Sequence, residues 1–239
     1  MGAQWKQKWR ELAADKKGRM TTKLVREIQV AARMAGPSPE FNPRLAAAIE
    51  AAKKQSVYRD TIERAIAKGS GQDGKADAIE TVIFEGFTPH RVPVLVECLT
   101  ENNNRTGPEI RVLFRAGSMG AVAWMFDHVG LVEANAPEGT DPESAAIEAG
   151  ADDLEILSAD DLEDLPPNAV AARFFTQPAE LNNVTKALKA AGWSITTTEL
   201  SYRPKDYPEL TDAQREEVTS FLQALDDHSD VHRIHAAIR

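Results

Sequence analysis

The amino-acid sequence predicts an α+β protein: an N-terminal basic three-helix domain followed by two small ferredoxin-like α+β domains, one inserted in the other. Three observations carry this expectation. Charge is divided along the chain, with 15 Lys and Arg against 7 Asp and Glu in residues 1–70, a net +8, and 13 against 30 in the remainder, a net −17. Apolar residues recur at helical spacing through the first part. Beyond residue 77 alternating and helical patterns follow one another, and over about 129–201 they run strand, helix, strand, strand, helix, strand, the order of a two-layer unit.

In the head, Leu24, Ile28, Ala31 and Ala35 form one apolar stripe on a helix from Met20 to Ala35, and at 100° per residue Arg19, Lys23, Arg26 and Arg33 fall on the opposite, solvent-facing side. Gly36-Pro37 ends that helix, because glycine suits the left-handed cap and proline cannot continue the ladder. Asn42 as N-cap and Pro43 at the first helical position start a second helix, which buries Leu45, Ala48, Ile49 and Ala52 and ends on Lys53 and Lys54. A third, from Val57 to Lys68, buries Ile62, Ala65 and Ile66, presents Arg59, Arg64 and Lys68, and stops at Gly69. Residues 1–18 interleave Lys6, Lys8, Arg10, Lys16 and Lys17 with Trp5 and Trp9. That segment reads equally as an arm that stacks on bases and neutralises phosphates, and as a helix laying Trp5, Trp9 and Leu12 on the bundle. These cations, with Arg44, are the candidate nucleic-acid-binding residues, since a basic surface on an otherwise acidic chain is built to meet a polyanion.

Gly69–Ala76 nearly spells a phosphate loop, but it follows a helix, precedes a strand and has Ala76 where a hydroxyl must hold Mg²⁺, so it reads as a linker. Ile79–Phe87 and Val92–Thr100 are strands joined at Phe87-Thr88-Pro89-His90. Asn102–Arg105 reads as a polar loop, and Thr106-Gly107-Pro108-Glu109 as a capping box launching a helix that buries Ile110, Leu113 and Phe114. Ala121–Phe126 is a further strand. Between Arg115 and Arg173 there is no Lys or Arg, and the acidic pairs Asp152-Asp153 and Asp160-Asp161 lack the spacing of a calcium loop, so they read as a solvated face. Strands at Ala169–Phe175 and Trp193–Leu200 flank a helix at Ala179–Ala191. The tail adds a helix capped by Thr211, burying Val218, Leu222 and Leu225, and a closing strand around Val231–Ile238. His228, His232 and His235 share a face only if that element is helical; on a strand they do not converge as metal ligands. The tail supplies what the 79–127 segment lacks, so the predicted domains are 1–76, 77–128 plus 206–239, and an inserted acidic 129–205.

Several of these runs together resemble the YebC/PmpR family. They are Thr22-Lys23-Leu24-Val25-Arg26-Glu27-Ile28, Ala31-Ala32-Arg33, Asn42-Pro43-Arg44-Leu45 and Ile62–Gly69, then Phe84-Glu85-Gly86-Phe87, Val94–Thr106, Leu225-Asp226-Asp227 and Asp230-Val231. That family includes bacterial proteins described as transcriptional regulators and a mitochondrial translational activator. The resemblance implies the same three-domain layout and a role in gene expression. It departs at two places. The family's Gly-His-Ser-Lys-Trp opening reads here Gly2-Ala3-Gln4-Trp5-Lys6, and the Gly-rich loop before Ala121-Val122-Ala123 is short, so nothing is implied for that His, that Ser or a longer loop.

The remaining expectations concern what the chain does not do. No apolar run approaches the roughly 20 residues of a membrane span, and the N-terminus has no apolar core of a secretory signal. One cysteine, Cys98, cannot form an intramolecular disulfide; it reads as a packed strand residue in a protein of the reducing cytoplasm. No nucleophile elbow, Cys-His pair or phosphate loop is present, so an enzyme with an unrecognised site is only the third reading, and no catalytic residue, cofactor, metal or small-molecule substrate is expected. The expected partner is nucleic acid, either DNA, for a transcriptional regulator, or rRNA and the ribosome, for a translation factor; Lys and Arg neutralise either backbone.

Overall fold

A computed structural model describes residues 4–71, 79–158 and 168–238, with side chains from residue 17 onward and Pro43 excepted. The expectations for Asp160-Asp161 and for the linker beyond Gly71 therefore lie outside the described residues. The chain forms two compact units, residues 1–125 with 206–239 and residues 126–205.

The first unit begins with the helical head. Helix α1 runs unbroken from Gln4 to Ala35, so the backbone of the N-terminal segment is helical; the side chains of Trp5 and Trp9 lie outside the described set. It stops where expected, with Gly36 at φ 89. Helix α2 (Pro43–Lys54) is capped by Asn42, whose side chain accepts from the Leu45 N–H at 3.0 Å and donates to the Ala31 carbonyl at 2.7 Å, tying the cap to α1. Helix α3 is Arg59–Gly69. Ile28, Ala31, Ala32, Leu45, Ala48, Ile49, Ala52, Ile62 and Ala65 make the head's core, matching the helical stripes in the sequence. Gly69 belongs to this packing rather than to a linker, since a Cβ there would collide with the Gln29 backbone of α1.

The sheet of this unit has strands β1 (Glu80–Phe87), β2 (Pro93–Thr100), β3 (Ser118–Met119) and β8 (Val231–Ala236) in the order β3-β1-β2-β8, all antiparallel. Helices α4 (Asn103–Leu113) and α7 (Asp212–Asp226), with the 3-10 turn Phe114–Ala116 after α4, cover one face, through Ile110, Phe114, Phe221 and Leu225 against Phe84, Val94, Val96 and Cys98. On the other face Leu99 packs with Val30 of α1 and Ile79, so β2 is buried on both sides and reads as a nearly continuous apolar run. Burial pushes the Cys98 thiol up to about 12, as befits a packing residue. Helix α7 has the full capping box between Thr211 and Gln214.

Two local expectations are corrected. Asn102–Arg105 is not a loop: Asn102 is the N-cap of α4, and Pro108 lies inside the helix on its exposed side, where the missing N–H leaves one carbonyl to solvent. Thr106 cannot act as the cap because its buried hydroxyl is bonded to Thr100 and Asp230. Ala121–Phe126 is not a strand either; Ala123–Met125 forms a 3-10 turn, with the Glu85 carboxylate accepting from the Val122 and Ala123 N–H groups at 2.7 and 2.8 Å.

The second unit has the predicted order: β4 (Phe126–Pro137), α5 (Pro142–Ala149), β5 (Asp153–Leu157), β6 (Ala169–Thr176), α6 (Leu181–Ala190) and β7 (Ser194–Pro204). Its strand order, β5-β6-β4-β7, is the ferredoxin-like arrangement, with both helices on one face over Val132, Ala134, Phe174 and Trp193. Among the described residues no helix is long and apolar enough to cross a membrane.

Candidate nucleic-acid interface

A helix cation is available to a phosphate only if its head group faces solvent, and this separates the predicted residues into two sets. The middle of the α1 stripe, Lys23 and Arg26, does not face solvent, whereas Arg19 and Arg33 at its two ends are exposed. Lys23 Nζ donates to the Asp226 carbonyl at 2.5 Å and to its carboxylate at 2.7 Å. Arg26 Nη1 donates to the Ser229 carbonyl and to Asp230 Oδ1, both at 2.7 Å. Arg19 lies 3.7 Å from the Asp227 carboxylate, and Arg33 donates to the Ile79 carbonyl at 3.3 Å. The side chains of Lys23 and Arg26 are only 15% and 16% exposed. The part of the expected solvent face around Lys23 and Arg26, with Arg19 at its rim, is thus a seam against the acidic turn between α7 and β8. The physical reason is local neutralisation: carboxylates at 226, 227 and 230 meet cations that would otherwise have to be desolvated alone.

Asp230 is the centre of the seam. Its carboxylate is fully buried and also receives Arg105 Nη2 and Thr106 Oγ1, both at 2.6 Å. Burial alone would push its pKa up, but these hydrogen bonds and the Arg26 charge outweigh it and hold the group well below the usual carboxylate range. Beside it, Glu27 of α1 receives Arg44 through Nε at 2.7 Å and Nη2 at 3.2 Å. His232 Nε2 approaches the other side of Glu27 to 2.8 Å, too obliquely for a well-formed hydrogen bond. Burial raises the Glu27 pKa, and His232 and Arg44 more than reverse it. Lys68 pairs with Glu101 at 3.2 Å.

The three histidines do not converge. His232 meets Glu27, His235 lies 3.8 Å from Glu97, and His228 Nε2 lies 3.0 Å from Glu109. The Asp230 N–H donates to His228 Nδ1 at 3.1 Å, so the ring proton sits on Nε2 and points at Glu109. Ligand atoms of Glu109, His228 and Asp230 lie within 4.8 Å of one another, but as a hydrogen-bond relay crowded by two arginines, an unfavourable place for a cation.

The second set is exposed: Lys17, Lys53, Lys54, Arg59 and Arg64, with Arg19 at the edge. Lys53 pairs with Glu50 and Arg59 with Glu63, at 2.7 and 2.6 Å, and Arg64 Nε donates to the Asp60 carbonyl at 3.0 Å. Surface pairs of this kind give up little when a phosphate takes the place of the carboxylate. Three of these residues, Lys53, Lys54 and Arg59, flank the turn between α2 and α3, which sequence reasoning did not resolve. Ser56 there is left-handed at φ 57; its N–H bonds to the Lys53 carbonyl at 2.9 Å and the Val57 N–H to the Ala52 carbonyl at 2.9 Å, closing a Schellman motif with Ser in the usual Gly position. Tyr58 follows, 83% exposed, between Lys54 and Arg59 in sequence. The available signal was an aromatic residue set between Lys53-Lys54 and Arg59 with no helical stripe to join. The side chains of Lys6, Lys8, Arg10 and Lys16 lie outside the described residues.

Comparison with known proteins extends over the whole of this arrangement. Residues 3–72 match the model of the TACO1/YebC protein N-terminal domain, and residues 79–238 that of the TACO1/YebC second and third domain. A probable transcriptional regulatory protein of Pseudomonas syringae pv. syringae is 48% identical over 243 residues, covering 100% of this chain and 99% of that one. A protein of the same description from Bdellovibrio bacteriovorus is 46% identical, covering 100% of both. The crystal structure of a conserved hypothetical protein from Aquifex aeolicus superposes with a TM-score of 0.76 at 35% identity, covering 94% of this chain and 90% of that one.

Proposed function

Since the chain belongs to the TACO1/YebC family, we propose that it is a non-enzymatic, nucleic-acid-binding regulator of gene expression. Its head grips the phosphate backbone through the exposed cations Lys53, Lys54, Arg59 and Arg64, with Lys17 and Arg19 adding to the field. The observation that carries this reading is the partition of charge within the head: Lys23 and Arg26 of α1 are engaged by carboxylates of the same chain, while the cations around the α2–α3 turn are exposed. In this reading residues 1–76 are the binding domain, 77–128 with 206–239 support it, and the acidic 129–205 domain is kept off the polyanion by repulsion. The names of the relatives favour a transcriptional regulator acting on DNA; a translation factor acting on rRNA is the other reading.

The test uses the full chain, titrated against duplex DNA, rRNA and intact ribosomes at one physiological salt concentration, then against the preferred target over a salt series. Affinity should fall with a slope of about −0.9 per duplex phosphate contacted, or about −0.7 on a single strand. Lys53→Ala/Lys54→Ala/Arg59→Ala should weaken binding to every sequence alike and flatten the slope by roughly three contacts. Lys23→Ala/Arg26→Ala should leave the slope unchanged. A triple variant with wild-type slope, or a flattened slope in the α1 pair, would overturn this placement of the interface.

A further inference from the structure

We propose that Tyr58 is a platform on which an unpaired nucleobase stacks, so that the head prefers single-stranded or looped nucleic acid to a continuous duplex. This rests on the reading of the head as a nucleic-acid interface and names the form of nucleic acid that the interface takes.

Tyr58 carries a ring that the packing of the head leaves exposed. Tyr58 has 83% of its surface exposed, makes no capping hydrogen bond through its side chain, and sits beside a head core to which its neighbour Val57 contributes. Its backbone is nevertheless firmly placed. The Schellman turn closes just before it, and its carbonyl accepts from the Thr61 N–H at 2.9 Å and the Ile62 N–H at 3.2 Å. A rigid backbone presenting a ring with two torsions loses little freedom when something stacks on it.

The surroundings say what that something is. Lys53 and Lys54 end α2 on one side of the turn and Arg59 begins α3 on the other, the Arg59 side chain being 89% exposed. Cations that neutralise a backbone next to an aromatic face are the two components of single-strand recognition, because every base has a π-face and every nucleotide a phosphate. A duplex offers the phosphates but keeps its π-faces stacked inside, so the ring would have nothing to meet. Phe41, also exposed, supplies the contrast: it follows the exposed Glu40 after α1, with no cation beside it in sequence until Arg44, which is engaged by Glu27. Tyr58 alone of the two combines ring and available charge.

The experiment measures anisotropy of the full chain on an unstructured 20-mer of RNA, the same 20-mer as DNA, and the corresponding duplex, for wild type and for Tyr58→Ala, Tyr58→Phe and Lys53→Ala/Lys54→Ala/Arg59→Ala. Tyr58→Ala should weaken binding to the single strands about tenfold and leave the duplex and the salt slope unchanged, while Tyr58→Phe should bind as wild type. The two single strands report whether the sugar matters; loss on either supports stacking. An unchanged single-strand affinity in Tyr58→Ala, or equal losses on single strand and duplex, would overturn the proposal. So would a Tyr58→Phe variant as weak as Tyr58→Ala, which would mean the hydroxyl and not the ring makes the contact. The triple variant separates the two readings. If it weakens binding while Tyr58→Ala does not, only the stacking platform fails; if it binds as wild type, the interface itself is misplaced.

Discussion

The α1 face and the α2–α3 turn carry the same kinds of side chain on the same small bundle, yet they do opposite work. Lys23 and Arg26 are some 85% covered, bonded to a turn more than 200 residues away in sequence, while Arg59 stands almost wholly in solvent with only a helix-neighbour carboxylate for company. The first set is spent holding the head on the neighbouring sheet. The second is free to exchange Glu50 and Glu63 for phosphates. Net charge acts on polyanions at long range, but only solvation decides which cations can close a contact.

The sharpest way to break this comparison is to unpair its buried side. Asp230→Ala leaves Arg26 facing an empty acceptor and removes the partner of Arg105 and Thr106, and should cost about 3–5 kcal/mol in urea unfolding. Lys54→Ala, on the exposed side, should stay within about 0.5 kcal/mol of wild type. Similar costs for the two would show that the α1 seam is not the structural contact described here.

Acid should act on the same side. Folding lowers the pKa of Glu27, Glu97 and Asp230, each against the upward push of burial: His232 and Arg44 act on Glu27, His235 on Glu97, and Thr106 and Arg105 on Asp230. Near and below the ordinary carboxylate pKa of about 4 the unfolded chain therefore binds more protons than the folded one. The stability these groups contribute is complete at neutral pH and is lost as pH falls through their folded values. Unfolding followed from pH 7 to pH 3 should show that decline, and Glu27→Gln should make it shallower while costing about 1–3 kcal/mol at pH 7. A decline of undiminished steepness in Glu27→Gln would assign the acid sensitivity elsewhere.

The smallest effect expected on stability sharpens the comparison from the other direction. Asp226 and Asp227 are half-exposed, at the rim of the seam. Asp226→Asn/Asp227→Asn should barely move the melting temperature but should let Lys23 and Arg19 reach solvent, raising nucleic-acid affinity several-fold and steepening the salt slope by one to two contacts. No gain in slope would mean that backbone carbonyls alone, such as that of Asp226, keep Lys23 engaged.

Sequence alone settled what depends on a few consecutive residues. Gly36-Pro37 and Asn42-Pro43 place the boundary between α1 and α2, Thr211 starts α7, and the alternation of 79–100 gives the hairpin of β1 and β2, because caps, turns and pleats are made by neighbours along the chain. The strand and helix order of 126–204 was legible for the same reason. Where local rules failed, a distant partner had intervened: Thr106 bonds to Asp230 instead of capping, and Glu85 draws the N–H groups of Val122 and Ala123 out of any strand. The functional surface was the least legible part. Helical periodicity correctly set Arg19, Lys23, Arg26 and Arg33 opposite the head's core, but periodicity has no knowledge of what lies on that side. Only the tertiary structure brought Asp226 and Asp230 there, and in doing so it decided that Lys23 and Arg26 are held by their own chain, while Tyr58 and the cations of the α2–α3 turn stay exposed.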